Sequence, residues 1–271
     1  MTEEPLMPLA SLPHLDTGIP NTARAWNYMI GGKDNFEADR EAVRQLTAVA
    51  PIIPVAARSS RAFLQRAVQY LAGEAGIRQF LDIGTGLPTA GNTHDIAQSV
   101  APESRIVYVD NDPVVLTHAR ALLTSGPLGA TSYLDADACD PGTIITEASA
   151  TLNLGQPVAI IMIDLLDFIE SDAKVRFCLS VLTDAVVSGS YLAIMHPASD
   201  LDPALPAAAA RWNSLAAQRV RLRSRAEVMN LVEGLELVPP GLVTVPEWRP
   251  DSADIAPAEP IPLYGVVARK P

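Results

Sequence analysis

Apolar residues occur along this chain in two alternating patterns, short continuous runs and stretches with helical spacing. The runs predict buried β-strands at residues 79–83, 105–109, 132–134, 158–163 and 191–195. Helical spacing follows the runs, for example after Asp112, where Asp112 and Pro113 have the order typical of a helix start. Strands that alternate with helices predict an α/β fold with a mostly parallel sheet, right-handed crossovers and helices on both faces.

Helical patterns also precede the first strand. Residues 22–30 and 37–50 have apolar positions on one side, and Phe63, Ala67 and Leu71 place a third helix before a glycine. The first 20 residues contain four prolines and little periodicity, so we expect an extended arm there. The sequence therefore predicts two parts, an N-terminal arm with a helical lid at residues 1–78 and an α/β domain at residues 79–271.

The C-terminal third has a different order of elements. A helix is predicted over residues 207–220, and Ser224 with Glu227 forms the capping-box pattern that opens another. Two further strands are predicted at residues 235–245 and 263–268, joined by a proline-rich acidic stretch. The predicted sheet thus has seven strands.

A glycine turn follows the first strand, with Asp82 before it and Gly84 and Gly86 within it. Glycine removes the Cβ atom where a backbone bends sharply or a ligand approaches, and open α/β sheets bind ligands at the carboxyl ends of their strands. Thr89 stands where a dinucleotide fingerprint has a third small residue, so a pyrophosphate is disfavoured. A nucleoside with a cationic amine, such as S-adenosylmethionine, suits the turn and its acid. The alternative is that the glycines only join a strand to a helix.

Composition restricts the class of protein. The 271 residues are 48% hydrophobic and 19% charged, as expected for a globular chain rather than a disordered one. The net charge of -11 disfavours a nucleic-acid partner, and no apolar run is long enough to predict a membrane span. Cys139 and Cys178 lack metal-ligand spacing, so we predict no metal site and a cytoplasmic location.

Three segments resemble a known family. They are residues 24–36 (RAWNYMIGGKDNF), 79–89 (QFLDIGTGLPT) and 108–116 (YVDNDPVVL). They are similar to the actinobacterial S-adenosyl methyltransferase family that was once known only as a domain of unknown function. The resemblance runs along essentially the whole chain, although in the C-terminal third it rests on the order of elements. It implies a Rossmann-like class I methyltransferase fold that binds S-adenosylmethionine.

Chemistry and the resemblance together suggest roles for the acids. Asp110 would accept the ribose hydroxyls, Asp137 the adenine amine beside the backbone of Ala138, and Asp82 would orient the glycine turn and the methionine amine. The N-terminal segment would close over the ligand as a lid; the alternative is a helix that packs on the sheet edge. The predicted cofactor-binding residues are Arg24, Tyr28, Gly31, Gly32, Asp82, Gly84, Thr85, Gly86, Asp110, Asn111, Asp137, Ala138 and Asp164.

Candidates for the acceptor side follow the later strands. Asp164 and Asp167 come after the fourth strand, His196 ends the fifth, and His94 lies near the glycine turn. Relatives commonly have a histidine where this chain has Asp167, so no histidine base is carried over by the resemblance. Asp164 has an alternative role as a cap of the following loop.

Three functions stay open at this point. The first is a methyltransferase with a small-molecule acceptor, which the motifs and the acidic charge favour. The second is a protein that binds S-adenosylmethionine or S-adenosylhomocysteine without catalysis, as a sensor or partner subunit. The third is a nicotinamide-dependent enzyme, which the missing third glycine disfavours. Methyl transfer depends mainly on positioning, and a base is needed only where the acceptor carries a proton.

Overall fold

The computed structural model describes residues 16–89, 91–122, 125–250 and 260–271. Most of the predicted arm, up to residue 15, and residues 251–259 of the acidic stretch lie outside the described residues. The helices are α1 (Thr22–Met29), α2 (Glu37–Val49), α3 (Ile53–Gly73), α4 (Thr93–Val100), α5 (Pro113–Leu122), α6 (Pro141–Ala148), α7 (Asp172–Asp184), α8 (Leu205–Leu215) and α9 (Arg225–Asn230). The strands are β1 (Gln79–Ile83), β2 (Arg105–Asp110), β3 (Ala130–Asp135), β4 (Ala159–Ile163), β5 (Tyr191–Pro197), β6 (Glu236–Leu237), β7 (Val243–Thr244) and β8 (Leu263–Arg269). Among these helices, none is both long enough and apolar enough to cross a membrane.

The strands form one sheet in the order β3-β2-β1-β4-β5-β8-β6, and β7 also pairs with β8. The pairs from β3 to β5 are parallel and β8 is antiparallel to β5, which confirms the predicted mostly parallel α/β sheet. The apolar β4 lies in the middle, as its sequence predicts. Strand order reverses between β1 and β4, and sheets of this kind bind ligands at that switch point.

The predicted sixth strand is two short strands in the structure. Leu237 at the end of β6 pairs with Ala268, and Val243 at the start of β7 pairs with Gly265. Pro239 and Pro240 stand between β6 and β7, and proline has no N–H to donate to a strand ladder. The described part of the sheet therefore has eight strands rather than seven.

Helices cover both faces of the sheet because neighbouring residues of each strand point to opposite sides. Leu81 of β1 belongs to a buried cluster that includes Ile144 of α6 and Val175 of α7. Phe80, the preceding residue, belongs to a second cluster with Phe63 of α3. Each face of the central strands thus has its own apolar core.

Two helices differ from their prediction. α8 ends at Leu215 because the chain turns back there, and Trp212 Nε1 donates a hydrogen bond to the carbonyl oxygen of Gln218 at 2.8 Å. α6 was not predicted, although Asp140 caps it by accepting a hydrogen bond from the Thr143 N–H at 3.2 Å. The cap followed by a proline is the signal that could have identified it.

Helices α1, α2 and α8, which we call the roof helices, pack together above the sheet edge. Their shared buried cluster includes Ala25 of α1, Val43 and Leu46 of α2, and Leu205 and Trp212 of α8. The roof therefore joins the N-terminal segment to an element that lies more than 150 residues later in the sequence.

A buried ion pair fixes α1 to α2. Asp39 is completely buried and accepts hydrogen bonds from the Arg24 Nε at 2.9 Å, the Asn21 N–H at 2.9 Å and the Phe36 N–H at 2.8 Å. Arg24 is also buried, and its Nη2 donates to the carbonyl oxygen of Ile19 at 2.8 Å. Removing the carboxylate would leave a buried guanidinium without its charge partner.

We expect Asp39→Asn to lower the free energy of unfolding by about 3–5 kcal/mol, the usual cost of breaking a buried ion pair from one side. Urea unfolding followed by tryptophan fluorescence measures this effect. Glu37→Gln is the control, because Glu37 lies in the same helix, is exposed and pairs only with exposed arginines in the described structure. Equal urea midpoints for Asp39→Asn and the wild type would show that the pair does not hold the roof.

Candidate functional site

A cleft of about 1080 Å³ runs between the carboxyl ends of the parallel strands and the roof helices. The strand side supplies residues at or just after the carboxyl ends of β1, β2, β3, β4 and β5, including Gly84, Asp110, Asp137, Asp164 and Pro197. Its volume is at the upper end of the range for small-molecule sites. The cleft is thus large enough to hold a cofactor and an acceptor together.

The glycine turn after β1 lies on the cleft wall. Gly84 and Gly86 have φ of 76° and 62°, the left-handed region that favours glycine. The Gly84 N–H donates to the carbonyl oxygen of Val109 at 2.8 Å and the Gly86 N–H to Asp110 Oδ2 at 2.9 Å. A Cβ atom on Gly84 would lie 2.7 Å from Leu165, whereas a Cβ atom on Gly86 would meet nothing within 4 Å. Gly86 therefore leaves its backbone open to a ligand.

Three of the predicted acids line the strand side of the cleft near this turn. Asp110 accepts the Gly86 N–H and, through Oδ1, the Asp112 N–H at 2.9 Å, and burial raises its pKa. Asp82 is buried and accepts from the Thr93 hydroxyl at 2.6 Å, and burial raises its pKa to about 6. Asp137 is exposed and accepts the Cys139 N–H at 2.8 Å. Thr85, Asn111 and Ala138 also line the cleft.

The loop after β4 brings two more acids to the cleft. Asp164 has a φ of 55°, unusual for a residue with a side chain, and its Oδ2 accepts a hydrogen bond from Ser60 Oγ of α3 at 2.6 Å. Burial raises the pKa of Asp164 well above its usual value. Asp167, on a short 3-10 helix (Leu166–Phe168), is buried and lines the cleft as well. Both acids thus stand at the predicted acceptor side.

The two candidate histidines, His94 and His196, are buried away from the cleft. His196 is fully buried and is not among the described residues that line the cleft. Its Nδ1 donates to the carbonyl oxygen of Pro197 at 2.9 Å and its Nε2 accepts from Arg223 Nη1 at 2.7 Å. Burial lowers its pKa to about 3. His94 is buried too, hydrogen-bonded to the Tyr108 hydroxyl at 2.8 Å. Neither imidazole is placed to act as a base in the cleft.

The N-terminal residues divide into two groups. Arg24 lines the cleft but is engaged by Asp39, whereas Tyr28, Gly31 and Gly32 are not among the described lining residues, contrary to the predicted contact. Gly32 fits closely around Asn27, because a Cβ atom there would lie 2.3 Å from the Asn27 side chain. Gly32 therefore closes a turn behind α1 rather than facing a ligand.

Several lining residues were not identified from the sequence. Asn21 caps α1 and its Nδ2 donates to Asp112 Oδ2 at 2.8 Å, which connects the roof to the loop after β2. Ser60 reaches Asp164 from α3, and no local pattern distinguishes it from other helix serines. In the part of the chain that the structure describes, no three His, Cys, Asp or Glu side chains could together hold a metal ion.

The roof side of the cleft is mostly apolar. Its lining side chains come from α1, α2, α3 and α8 and from the segment after α8, and they include Trp26, Met29, Leu46, Ile53, Ala57, Leu64, Leu205, Ala208, Trp212 and Leu222. The carboxylates of the strand side thus face an aliphatic and aromatic wall. A ligand with one polar and one apolar end matches this arrangement.

Comparison with known proteins gives a consistent assignment. The sequence model of a family described as S-adenosyl methyltransferase matches residues 10–271. A DUF574 family protein from Streptomyces avermitilis is 46% identical, with 94% of this chain and 99% of that chain covered and a TM-score of 0.90. A methyltransferase candidate from Thermobifida fusca is 37% identical, with coverage of 97% and 99% and a TM-score of 0.86. Among proteins with a curated function, none matches the chain.

The two glycines of the turn give a matched test of ligand contact. We expect Gly86→Val to weaken S-adenosylhomocysteine binding by ~100-fold or more, about 2.7 kcal/mol, because the side chain enters open cleft space. Gly84→Val has similar backbone strain and collides with Leu165 as well, so it should also lower the urea midpoint of unfolding. Calorimetry and urea unfolding on both variants measure these effects. Normal binding by folded Gly86→Val would show that the turn does not contact the cofactor.

Proposed function

The chain belongs to the S-adenosyl methyltransferase family, and from this premise we propose that it methylates a small-molecule acceptor held between the strand ends and the roof helices. The chain is an S-adenosylmethionine-dependent methyltransferase. The observation that carries the acceptor proposal is the single cleft that joins the acidic strand ends to the apolar roof. A polymer would need a more open surface than a cleft closed over by three helices.

The residues on the strand side fit S-adenosylmethionine. The open space beside Gly86 allows a ligand to approach the turn backbone, and Asp110 stands next to it. Each Asp110 oxygen accepts one backbone N–H, so the carboxylate keeps lone pairs for hydroxyl donors such as those of a ribose. Asp137 and Ala138 line the neighbouring part of the cleft, where an adenine would lie. These four residues would hold the nucleoside end.

Bound S-adenosylmethionine supplies a methyl group on a positively charged sulfur, which is an activated leaving group. The contribution of the protein is then to align the acceptor and to exclude water. The roof residues Trp26, Leu46 and Trp212 cover the cleft with apolar surface, which excludes water from one side. Asp167 supplies a carboxylate where the acceptor would react, and Asp164 supplies a second carboxyl group beside it.

We also propose that α1 acts as a lid over the bound cofactor. Asn21 at its start contacts Asp112 in the loop after β2, and the neighbouring residues Pro20, Thr22 and Ala23 line the cleft. This contact is a single hydrogen bond between partly buried side chains, so the roof helices can move away from the loop together without breaking their shared cluster. The buried pair of Arg24 and Asp39 keeps α1 joined to α2 during such a movement.

The first test of the proposed function is turnover. With S-adenosylmethionine and the low-molecular-mass fraction of a cell extract, the protein should form S-adenosylhomocysteine and a product heavier by one CH2 group, detected by mass spectrometry. Gly86→Val should form much less of both, because its affinity for the cofactor is lower. Product formation with the protein or nucleic-acid fraction alone would contradict the small-molecule acceptor.

Hydrogen exchange tests the lid. Amides of α1 should gain protection when S-adenosylhomocysteine is added, whereas the amides of β4, in the middle of the sheet, should change little because they are already slow. In Asn21→Ala the gain at α1 should be smaller, while binding of the cofactor remains measurable. If α1 amides are equally protected with and without the ligand, the helix is a fixed wall and does not gate the cleft.

A further inference from the structure

The carboxyl group of Asp167 has an unmet hydrogen-bonding requirement. Asp167 is 6% exposed and lines the cleft, and within the described structure its Oδ1 has no hydrogen-bond partner. A buried polar atom without a partner costs free energy, about 1–3 kcal/mol and more for a charged group. A catalytic role is one of the explanations for a buried group of this kind, and a bound water or ion is another.

The turn that presents Asp167 is held in place from behind. Arg223 is fully buried, and its Nη1 and Nη2 donate to the carbonyl oxygens of Leu166 and Ile169, each at 2.8 Å. The same guanidinium is fixed by Asp172 Oδ1 at 2.9 Å and by His196 Nε2 at 2.7 Å. One buried guanidinium group therefore binds the backbone at the start of the Leu166–Phe168 turn and just after its end.

The cation that lies beside Asp167 does not pair with it. All the hydrogen bonds that the structure gives to the Arg223 guanidinium go to Leu166, Ile169, Asp172 and His196. The Arg221 N–H is bonded to the Asp167 carbonyl oxygen at 2.8 Å, which fixes the backbone but not the carboxyl group. The arrangement thus positions the carboxyl group without neutralising it.

The position of Asp167 in the sheet separates it from the nucleoside end of the cleft. The nucleoside residues follow β1, β2 and β3, whereas Asp167 follows β4 on the other side of the switch point. Val220 and Leu222, which line the cleft, come from the segment that bonds to the Asp167 turn. Asp164 stands three residues before it and also lines the cleft. The acceptor half therefore combines two carboxyl groups with an apolar wall.

We propose that Asp167 binds the nucleophilic nitrogen of the acceptor, so that the substrate is an amine on an apolar body. This inference rests on the proposed function. The lone pair of the neutral amine forms the N–C bond while the C–S bond breaks and its electron pair stays on sulfur. The nitrogen becomes positively charged and stays hydrogen-bonded to the Asp167 carboxylate, and its proton passes to water when the product leaves. Burial raises the pKa of Asp167 to about 6, so the group is still largely ionised at neutral pH and is a stronger hydrogen-bond acceptor than an exposed carboxylate.

The charge of the site favours nitrogen over oxygen as the nucleophile. An amine gains positive charge in the transition state, and the Asp167 carboxylate stabilises that charge. A hydroxyl acceptor would be activated by becoming more negative, which a neighbouring carboxylate opposes. The acidic acceptor half thus selects for an amine.

Sinefungin provides a direct probe, because it carries a primary amine where the cofactor has its sulfonium methyl group. Calorimetry on the wild-type protein should show tighter binding of sinefungin than of S-adenosylhomocysteine. In Asp167→Asn this preference should fall by ~10-fold or more, the loss expected for a charge-assisted hydrogen bond. The affinity for S-adenosylhomocysteine itself should change little, which also shows that the variant is folded.

Glu170→Gln is the matched control, because Glu170 is an exposed carboxylate on the same loop and the same cleft. It should keep the full preference for sinefungin. A wild-type protein that binds S-adenosylhomocysteine without any preference for sinefungin would overturn the amine inference and leave the proposed function intact. An unchanged preference in Asp167→Asn would overturn the role of Asp167. Failure of the wild type to bind either compound would instead contradict the proposed function.

A second arm uses only the wild-type protein, so it does not depend on how a variant folds. The complex with S-adenosylhomocysteine should bind phenethylamine more tightly than 2-phenylethanol, which has the same apolar body and a hydroxyl in place of the amine. Quenching of tryptophan fluorescence reports this binding because Trp26 and Trp212 line the cleft. Equal or weaker binding of the amine would contradict the proposal.

Discussion

Parallel pairing around β1 is the constraint on which the site depends. β1 pairs with β2 on one side and β4 on the other, and Ile83 lies opposite Val109 at their carboxyl ends. Loops that are distant in the sequence are therefore brought to one edge. The same pairing places the Gly86 N–H within hydrogen-bond distance of Asp110. The cofactor side of the cleft follows from the sheet, and the roof helices are added to it.

The cleft contains four carboxyl groups that burial makes more basic, and each is held differently. Asp82 accepts from a hydroxyl of α4, Asp110 from two backbone amides, and Asp164 from a hydroxyl of α3. Asp167 has one oxygen without a partner in the described part of the protein. Burial raises the pKa of all four. Arg61 lines the same cleft and favours the ionised forms of Asp82 and Asp164, so a cation of the protein already offsets part of this charge.

Local patterns were sufficient for most of the elements and for the presence of acids at the strand ends. The glycine turn, Asp110 and the capping box at Ser224 could be predicted because their signals lie within a few residues of one another. The two prolines at 239 and 240 were a local signal that the sixth strand is interrupted. The apolar pattern around them nevertheless led to the prediction of one continuous strand. The number of parallel strands followed from the alternation with helices, whereas their order in the sheet was not predicted.

Contacts between residues that are distant in the sequence could not be predicted from local patterns. Nothing near His196 reveals that a buried arginine 27 residues later binds its ring, and nothing near Asp167 reveals that one of its oxygens lacks a partner. The glycines at residues 31 and 32 were assigned to the ligand because glycine suits both a ligand contact and a tight turn. The packing of Asn27 against Gly32 assigns Gly32 to the tight turn, and only the three-dimensional structure shows this packing.

The separation of the two halves of the cleft has an evolutionary consequence. The residues placed at the nucleoside come from the loops after β1, β2 and β3, whereas much of the apolar wall comes from α8, including the small residues Ala208 and Ala209. Larger or polar side chains at such positions reshape the acceptor space without touching the glycine turn. Gene duplication followed by changes in one helix could therefore yield enzymes that share a methyl donor and differ in the metabolite they modify.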